Sequence, residues 1–334
     1  MALPSPETVW HSSDKELYTL LDSDRLVSKP KTAHFYTPGF TYYKTTSGES
    51  SPNRFPTVSV TAAACSLNCK HCESKVLQTM QAATTPEKLL STAKRIKQNG
   101  ALGFLLSGGC LPNGSVPLKP FIPTLERIKR ELGLTVFVHT GLIDLPTAQS
   151  LKKAGVDAAL IDVIGSNATI KQVYSLNATT RDYSNSLKAL SCANLNFVPH
   201  IIVGLHFGKL KGELKALKMV AATKPTAVVI VAFMPIHKTA MANVKPPEPT
   251  DIAKVAAASR LMFPQTPLGL GCMRPKGKHR TFTDVLALKA GLDAIAFPSE
   301  EAIAYARTQG YATSFSPYCC AQIYMDSPLR RSSK

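Results

Sequence analysis

The chain has 334 residues, of which 44% are hydrophobic and 18% are charged, the composition of a globular protein with a large core. No apolar run approaches the roughly 20 residues that a membrane-spanning helix needs, which argues against an integral membrane protein. The net charge of +17 favours an acidic partner such as nucleic acid, an anionic cofactor or an acidic carrier protein, although a basic surface can also serve solubility alone.

The N-terminal sequence and the cysteines both indicate a reducing compartment. Residues 1–17 become polar and acidic too early for the apolar core of a secretory signal. We therefore expect a cytoplasmic protein that does not contact a membrane. Its eight cysteines would be reduced there, and clustered cysteines are then more often metal ligands than disulfides.

Residues 1–56 are expected to form an N-terminal extension that caps the main domain. The run HFYTPGFTYY at residues 34–43 is rich in aromatic and turn residues, which would either pack beneath the domain or contact substrate. The remaining length suits one (β/α)₈ barrel, which commonly takes about 250 residues, as well as it suits two domains.

From residue 57 onward, short apolar or β-branched runs alternate with segments of helical period, which is typical of βα units around a parallel sheet. Several helix candidates begin with Thr or Pro and end with Gly, as helix caps require. Glycine followed by an aspartate that opens a strand recurs in KKAGVDAALID and LKAGLDAIAFP. The eight strand candidates are residues 57–62, 102–107, 135–140, 157–162, 196–203, 227–234, 267–272 and 293–298.

Eight such units predict an α/β fold, a (β/α)₈ TIM-type barrel over residues 57–310. A doubly wound open sheet is the alternative, because it would show the same alternation. Residues 311–334 are expected to form a C-terminal tail that folds back over the barrel mouth.

Reactive side chains follow most of the predicted strands. Because the carboxyl ends of the strands meet at one end of a barrel, we expect these side chains to share its mouth. They are the cysteines at 65, 69 and 72, then Ser107 to Cys110, His139, Asp162, His200, Cys272 and Arg274.

Cys65, Cys69 and Cys72 form a C-x₃-C-x₂-C cluster after the first predicted strand. A structural zinc site requires four ligands, and no fourth cysteine or paired histidine lies close by in sequence. His71 stands between two of the cysteines and is too constrained to complete such a site. Three thiolates can instead hold a [4Fe–4S] cluster and leave one iron open to another ligand.

This motif, placed after the first strand of a βα array and followed by Gly108-Gly109, resembles the signature of the radical S-adenosylmethionine (SAM) superfamily. The resemblance implies that the open iron binds SAM and that one electron from the cluster releases a 5′-deoxyadenosyl radical.

The same resemblance suggests where SAM is bound. Backbone groups of Gly108-Gly109 would hold the methionine part, although Cys110 stands where the family usually has an acidic residue. His71 would pack near the adenine, and Gly204 in HIIVGLHFG resembles an adenine-binding segment. Four residues are assigned to cofactor binding from their strand positions alone: Ser107, His139, Asp162 and His200. A hydrogen-bonded structural role is the alternative for the two histidines and the aspartate.

The five other cysteines are interpreted separately. Cys192 ends a helix pattern and is expected to be a buried structural thiol. The other four would converge on the mouth as ligands of an auxiliary iron–sulfur cluster: Cys110, Cys272, Cys319 and Cys320. The alternative is that they are inert cysteines of the core. Biotin synthase is similar in using cysteines and one arginine from strand ends, so Cys110, Cys272 and Arg274 are assigned to catalysis.

Segments distributed over most of the chain, from HFYTPGFTYY to YCC, resemble the two-protein lipoyl synthases. That resemblance implies sulfur insertion into an octanoyl group on an acidic lipoyl-carrier protein, a sister radical SAM subunit, and an electron donor such as ferredoxin or flavodoxin. The terminal RRSSK resembles the Arg-Ser-Ser of single-chain lipoyl synthases, although three matching residues in a polar tail are more often a coincidence.

Other functions remain open from the sequence. One is a different biotin-synthase-like reaction, and another is a cluster-holding scaffold without turnover. A tRNA-methylthiolating enzyme would suit the basic charge, but it would normally bring a separate RNA-binding domain, and no aromatic-interleaved basic run is present. Nucleic acid is therefore not the expected partner.

Overall fold

A computed structural model describes residues 4–23, 26, 32–39, 41–51 and 53–327. Its strands are β1 (Thr32–Tyr36), β2 (Lys44–Thr45), β3 (Gly48–Glu49), β4 (Thr57–Ser59), β5 (Gln81–Ala82), β6 (Gly103–Ser107), β7 (Thr135–His139), β8 (Ala158–Asp162), β9 (Phe197–Val203), β10 (Val228–Ala232), β11 (Leu268–Leu270), β12 (Ala294–Ala296) and β13 (Ala312–Ser316).

The helices alternate with these strands. They are α1 (Pro6–Trp10), α2 (Asp14–Asp22), α3 (Pro86–Gln98), α4 (Ile122–Leu132), α5 (Leu145–Lys153), α6 (Asn167–Thr169), α7 (Thr180–Cys192), α8 (Glu213–Ala221), α9 (Pro249–Met262), α10 (Lys278–Lys289), α11 (Glu300–Thr308) and α12 (Ile323–Asp326). Short 3₁₀ turns cover Lys75–Thr79, Lys119–Phe121 and Cys320–Gln322, and a π-helical turn covers Ile170–Tyr174.

Eleven strands form one curled sheet in the order β13-β1-β12-β11-β10-β9-β8-β7-β6-β4-β5, in which every pairing is parallel. Each of the eight predicted strands is present, and these eight lie side by side in sequence order. A doubly wound sheet reverses its strand order at a switch point, so this order excludes that alternative. The prediction of an α/β TIM-type fold is confirmed.

The N-terminal extension differs from the predicted cap. Residues 32–36 form β1, which is inserted between β12 and β13 as an integral strand of the sheet. The first two helices pack against α9 on the outside, where Lys254 lies 3.5 Å from Asp14. The segment TAHFY could not by itself reveal a partner strand more than 250 residues away in the chain.

The repeated Gly-x-Asp joints have the same function in both places. Gly155 and Gly291 adopt φ values of +78° and +84° at the ends of helices, a conformation that glycine adopts without steric cost. The following Asp157 accepts a hydrogen bond from the amide of Val136 in β7 at 2.7 Å, and Asp293 accepts one from the amide of Leu268 in β11 at 2.7 Å. Each aspartate therefore fixes the register of its strand against the preceding neighbour.

The two faces of the sheet bury different cores. The outer face packs against the helices, through residues such as Phe104, Val138 and Ile161. The inner face carries Phe137, Leu160 and other apolar side chains that form a second core inside the curl. A parallel sheet with both faces covered is typical of this fold class.

The C-terminal tail covers the inner face of the sheet. Ala312–Ser316 form edge strand β13, and the residues that follow enter the curl. Tyr318 contacts the ring of Phe55 at 5.6 Å, and the Tyr324 hydroxyl donates to the carbonyl of Asp157 at the start of β8. The tail was predicted over the mouth, but these contacts place its last helix at the opposite, amino-terminal end of the strands.

None of the described helices is long and apolar enough to cross a membrane. The RRSSK segment lies outside the described residues.

A fully buried ion pair ties the seventh and eighth units together. The Arg274 guanidinium donates to both carboxylate oxygens of Asp284 at 2.7 and 2.9 Å, and both side chains are inaccessible to solvent. Arg274 also donates to the carbonyls of Gly271 and Phe297, and the amide of Ser299 donates to Asp284. The pair thus links the loop after β11, helix α10 and the end of β12.

Asp284→Asn is expected to destabilise the protein by about 3–5 kcal/mol, because it leaves the buried Arg274 charge uncompensated. Denaturant unfolding of the purified variant and of the parent chain measures this loss of stability. The control is Glu131→Gln, which breaks the exposed pair of Arg127 and Glu131 and should leave the unfolding midpoint almost unchanged. Equal effects of the two substitutions would contradict a structural role for the buried pair.

Candidate functional site

The three-cysteine loop follows β4 and is shaped by tight turns. Asn68 and Glu73 adopt positive φ values of +46° and +43°. The amides of Cys72 and Glu73 both donate to the carbonyl of Cys69, at 3.0 and 2.8 Å. The loop is anchored to the π-helical turn, because the Lys70 amide donates to the carbonyl of Val173 at 2.9 Å.

The thiols of this loop interact with one another. A side-chain hydrogen bond between Cys69 and Cys72 lowers the pKa of Cys72 to about 4, with a contribution from His71. The same hydrogen bond, together with burial, raises the pKa of Cys69. The lowered pKa of Cys72 favours its thiolate, and deprotonated thiols are the form that binds iron.

The glycine pair after β6 lies directly against this loop. A Cβ atom on Gly109 would approach the Ala64 carbonyl oxygen to 1.9 Å and the Cys65 Cα to 2.6 Å. The Gly109 amide donates to Thr61 Oγ1 at 2.7 Å, and the Cys110 amide donates to Cys65 Sγ at 3.3 Å. Gly109 is required here because only a residue without a side chain permits this approach. Its amide is engaged by Thr61, so that group is not free to bind the methionine part of SAM.

The surroundings of the loop contain polar atoms without partners. His71 Nδ1 and the Tyr174 hydroxyl are both buried and make no hydrogen bond, and their rings lie 5.2 Å apart. Three thiols from one loop beside two unpaired polar groups fit a [4Fe–4S] cluster with a polar ligand such as SAM. Cys65, Cys69 and Cys72 are the residues that would hold the cluster, and the packing of His71 near an adenine stays a prediction.

Cys110 belongs to this group of thiols. Burial, followed by the nearby Cys65, raises its pKa to about 12. Its backbone is bonded to both Cys65 and Ser66. The structure therefore divides the four cysteines that were predicted to converge, because Cys110 lies beside the three-cysteine loop.

A second group of thiols lies inside the curl. Cys272, at the end of β11, and Cys319, from the tail, both pack against the inner core. Burial and then the neighbouring Cys319 raise the pKa of Cys272 to about 12. A hydrogen bond from Cys320 lowers the pKa of Cys319, while Cys320 itself is buried. Two segments that are distant in sequence thus bring thiols to one place.

The predicted catalytic role of Arg274 is corrected by the structure. Its guanidinium is fully buried and occupied by Asp284 and two carbonyl groups, as described above. The neighbouring Arg280 instead has a buried Nε without a partner. Burial and repulsion by Arg274 lower the pKa of Arg280 to about 10, and Cys272 lies close enough to oppose that shift.

Three polar side chains lie together at the carboxyl ends of β7, β8 and β9. His139 Nε2 lies 3.6 Å from Asp162 Oδ1, and His200 Nδ1 lies 3.7 Å from the same oxygen. Although burial opposes the shift, attraction by His139 and then His200 lowers the pKa of Asp162 to about 2. Burial lowers the pKa of His200 to about 4, so this histidine is neutral near pH 7.

The segment after β9 is held by a buried carboxylate. Gly204 has a φ of +73°, and a Cβ atom there would meet the ring of Pro247 at 2.7 Å. Its amide donates to Glu213 Oε1 at 2.9 Å, and the Lys211 amide donates to Glu213 Oε2 at 2.6 Å. Glycine at position 204 allows a tight turn, and its amide is occupied by Glu213.

Sequence reasoning missed several of these residues and misplaced another. Cys192 was expected to be buried, but it is exposed, because the buried side of the last turn of α7 is formed by Ala189 and Leu190. Asp284 could have been found as a charged residue on the apolar side of a predicted helix. Tyr174 and Glu213 gave no signal, since their contacts come from other βα units.

Comparison with known proteins agrees with this arrangement. Residues 59–209 match the family model of the Radical SAM superfamily. A biotin synthase from Buchnera aphidicola subsp. Schizaphis graminum is 26% identical over 297 residues, which cover 84% of this chain and 82% of the relative.

Two solved structures share the fold. The [FeFe]-hydrogenase maturase HydG has a TM-score of 0.64 at 16% identity and covers 97% of this chain and 74% of its own. Methylornithine synthase (PylB) has a TM-score of 0.55 at 15% identity and covers 92% of this chain and 97% of its own. At these identities the likeness concerns the fold alone.

Gly109→Ala is expected to displace the three-cysteine loop, because the new methyl group would overlap the backbone of Ala64 and Cys65. After anaerobic reconstitution, the variant should lose most of the iron bound by this loop, measured by iron and sulfide analysis. Gly269→Ala is the matched control, since its Cβ would meet atoms no closer than 3.7 Å. Full iron content in Gly109→Ala would show that the close contact does not shape the site.

Proposed function

Because residues 59–209 of this chain form a radical SAM superfamily domain, we propose that the protein inserts sulfur into an octanoyl group carried on a lysine of a carrier protein. It would act as one component of a two-protein lipoyl synthase. The observation that carries this proposal is the presence of two separate thiol groups, one in the three-cysteine loop and one inside the curl.

The first thiol group would serve radical formation. Cys65, Cys69 and Cys72 would hold a [4Fe–4S] cluster, and the two unpaired atoms of His71 and Tyr174 would face the bound SAM. When bound and reduced, the cluster with SAM supplies a 5′-deoxyadenosyl radical that removes a hydrogen atom from an unactivated carbon. The chain's own contribution is to orient the loop, through the contact of Gly109 with Cys65, and to exclude water by burying Cys69.

The second thiol group would hold the sulfur source. Cys272 and Cys319 lie in contact with the same inner core, and Cys320 follows directly. These three are the candidate ligands of an auxiliary iron–sulfur cluster, whose sulfide would be consumed as a substrate. The proposed ligand set omits Cys110, because its backbone is bonded to the three-cysteine loop and its thiol lies near Cys65.

The likeness to biotin synthases supports a second candidate. Those relatives cover most of this chain, so sulfur insertion into a different small substrate is the alternative. The two functions share both clusters and differ only in the acceptor. Assays with an octanoylated carrier protein and with a biotin precursor therefore separate them.

The charge of the chain supports a carrier-protein substrate. Exposed lysines lie in the loops that follow β4, β8, β9, β10 and β11, which all leave the sheet at the mouth: Lys70, Lys171, Lys209, Lys238 and Lys276. Such a basic rim would steer an acidic lipoyl-carrier domain toward the mouth. A sister radical SAM subunit and an electron donor such as ferredoxin or flavodoxin complete the proposed set of partners.

Cys272→Ala is expected to retain formation of 5′-deoxyadenosine and to lose sulfur transfer, because it removes a proposed ligand of the sulfur source only. Cys69→Ala should lose both, since the radical cluster then lacks one thiolate. The measurements are chromatographic quantification of 5′-deoxyadenosine and mass spectrometry of an octanoylated carrier peptide. Cys192→Ala, at an exposed thiol, is the control and should retain both activities.

Iron analysis separates the possible results of that experiment. A triple variant of Cys65, Cys69 and Cys72 to alanine should still bind iron and sulfide through the second thiol group. An iron-free triple variant would overturn the sulfur-insertion proposal and leave a radical SAM enzyme with a single cluster.

The double variant Lys209→Glu, Lys238→Glu is expected to raise KM for an acidic carrier protein severalfold, with the effect shrinking as salt is added. The rate with a short octanoylated peptide should stay the same, since the variant leaves both thiol groups intact. The double variant Lys94→Glu, Lys97→Glu in α3 is the control, because it makes the same change of net charge away from the mouth loops. An unchanged KM for the carrier at low salt would argue against docking on this rim.

A further inference from the structure

The polar cluster of His139, Asp162 and His200 was assigned to cofactor binding from strand positions alone, and the geometry of the three side chains supports a different ligand. In β7, β8 and β9, the inward-facing residues below it are apolar: Phe137, Ala158, Leu160 and Val198. Side chains of a strand alternate between its two faces, so His139, Asp162 and His200 point into the curl one step above these residues. An otherwise apolar interior therefore ends in a single polar layer.

Strand register brings the three side chains together. Asp162 is paired directly with His200 across β8 and β9. His139 is paired with Leu160, two residues before Asp162, across β7 and β8. The three ligand-type atoms lie within 4.8 Å of one another. Because adjacent strands of the sheet supply all three, their positions depend on rigid backbone.

Direct hydrogen bonds do not account for this arrangement. The distances of 3.6 and 3.7 Å from the two histidine nitrogens to Asp162 Oδ1 exceed hydrogen-bond length. His200 Nδ1 is buried and has no hydrogen-bond partner. The two imidazole rings are parallel, with an interplanar angle of 4° and centroids 5.7 Å apart, and each places one nitrogen near the same oxygen of Asp162.

The spacing matches that of ligands around a metal ion. Bonds from zinc to imidazole nitrogen or carboxylate oxygen are about 2.0–2.2 Å, which puts neighbouring ligand atoms of a tetrahedral site about 3.4 Å apart. The two observed distances exceed this by a few tenths of an ångström. Two histidines and one carboxylate are also a recurrent ligand set for zinc and for non-haem iron, with positions left open for other ligands.

We propose that His139, Asp162 and His200 bind one divalent transition-metal ion in the interior of the sheet. The ion would be separate from both thiol groups and would have only nitrogen and oxygen ligands from the protein. Its open position would face the mouth and would take an oxygen donor, such as a carbonyl or carboxylate of the bound substrate. This site does not depend on the proposed sulfur insertion.

The test uses the full chain with its clusters reconstituted anaerobically, separated from loose metal by gel filtration, and then given one equivalent of Zn²⁺. X-ray absorption at the zinc edge should show a shell of nitrogen and oxygen at about 2.0–2.1 Å, without the sulfur shell expected at about 2.3 Å. Asp162→Asn and His200→Asn should each weaken zinc binding at least tenfold in equilibrium dialysis. Cys272→Ser and Cys192→Ser should leave it unchanged.

Three outcomes would overturn the metal site. Zinc with a sulfur shell would place the ion at the cysteines, and zinc affinity unaltered by both Asp162→Asn and His200→Asn would place it elsewhere. Circular dichroism and the visible absorption of the clusters show whether the variants remain folded, and His139→Asn replaces either one that does not. If the parent chain binds no zinc and Asp162→Asn loses SAM affinity, the three polar side chains bind SAM instead of a metal ion.

Discussion

The inner face of the curled sheet is the constraint on which the rest of the structure depends. Eight strands in sequence order expose a second apolar face that must be covered as completely as the outer one. The tail covers it, with Tyr318 against Phe55 and Tyr324 against Phe137. Because this cover carries Cys319 and Cys320, the packing that completes the fold also delivers thiols to Cys272.

Polar and apolar layers then divide the interior along the strands. The tail and its apolar neighbours occupy the amino-terminal end, and His139, Asp162 and His200 lie nearer the mouth. The three-cysteine loop stands at the rim, where Gly109 allows it to contact the end of β6. His200 is aligned with Gly269 through β10, so Cys272 follows the level of the polar layer by three residues along β11.

Buried charge pairs hold the framework that positions these groups. Arg274 with Asp284 joins α10 to the ends of two strands, and Arg260 with Asp293 anchors α9 to the start of β12. Removing one member of such a pair leaves a charge without solvent or partner, which costs far more than breaking an exposed pair. Rigid strand ends are what allow side chains from separate βα units to keep fixed distances.

The sequence by itself determined the eight βα units, the Gly-x-Asp joints and the three-cysteine loop, since these depend on local periodicity and on motifs of contiguous residues. It also predicted which side chains follow the strands. Only the tertiary structure decided that residues 32–36 join the sheet, that Arg274 is occupied by Asp284, and that Cys110 lies apart from Cys272. Those outcomes depend on contacts between segments far apart in the chain. Such contacts are set by packing inside the curled sheet, which leaves no periodic signal in any one segment.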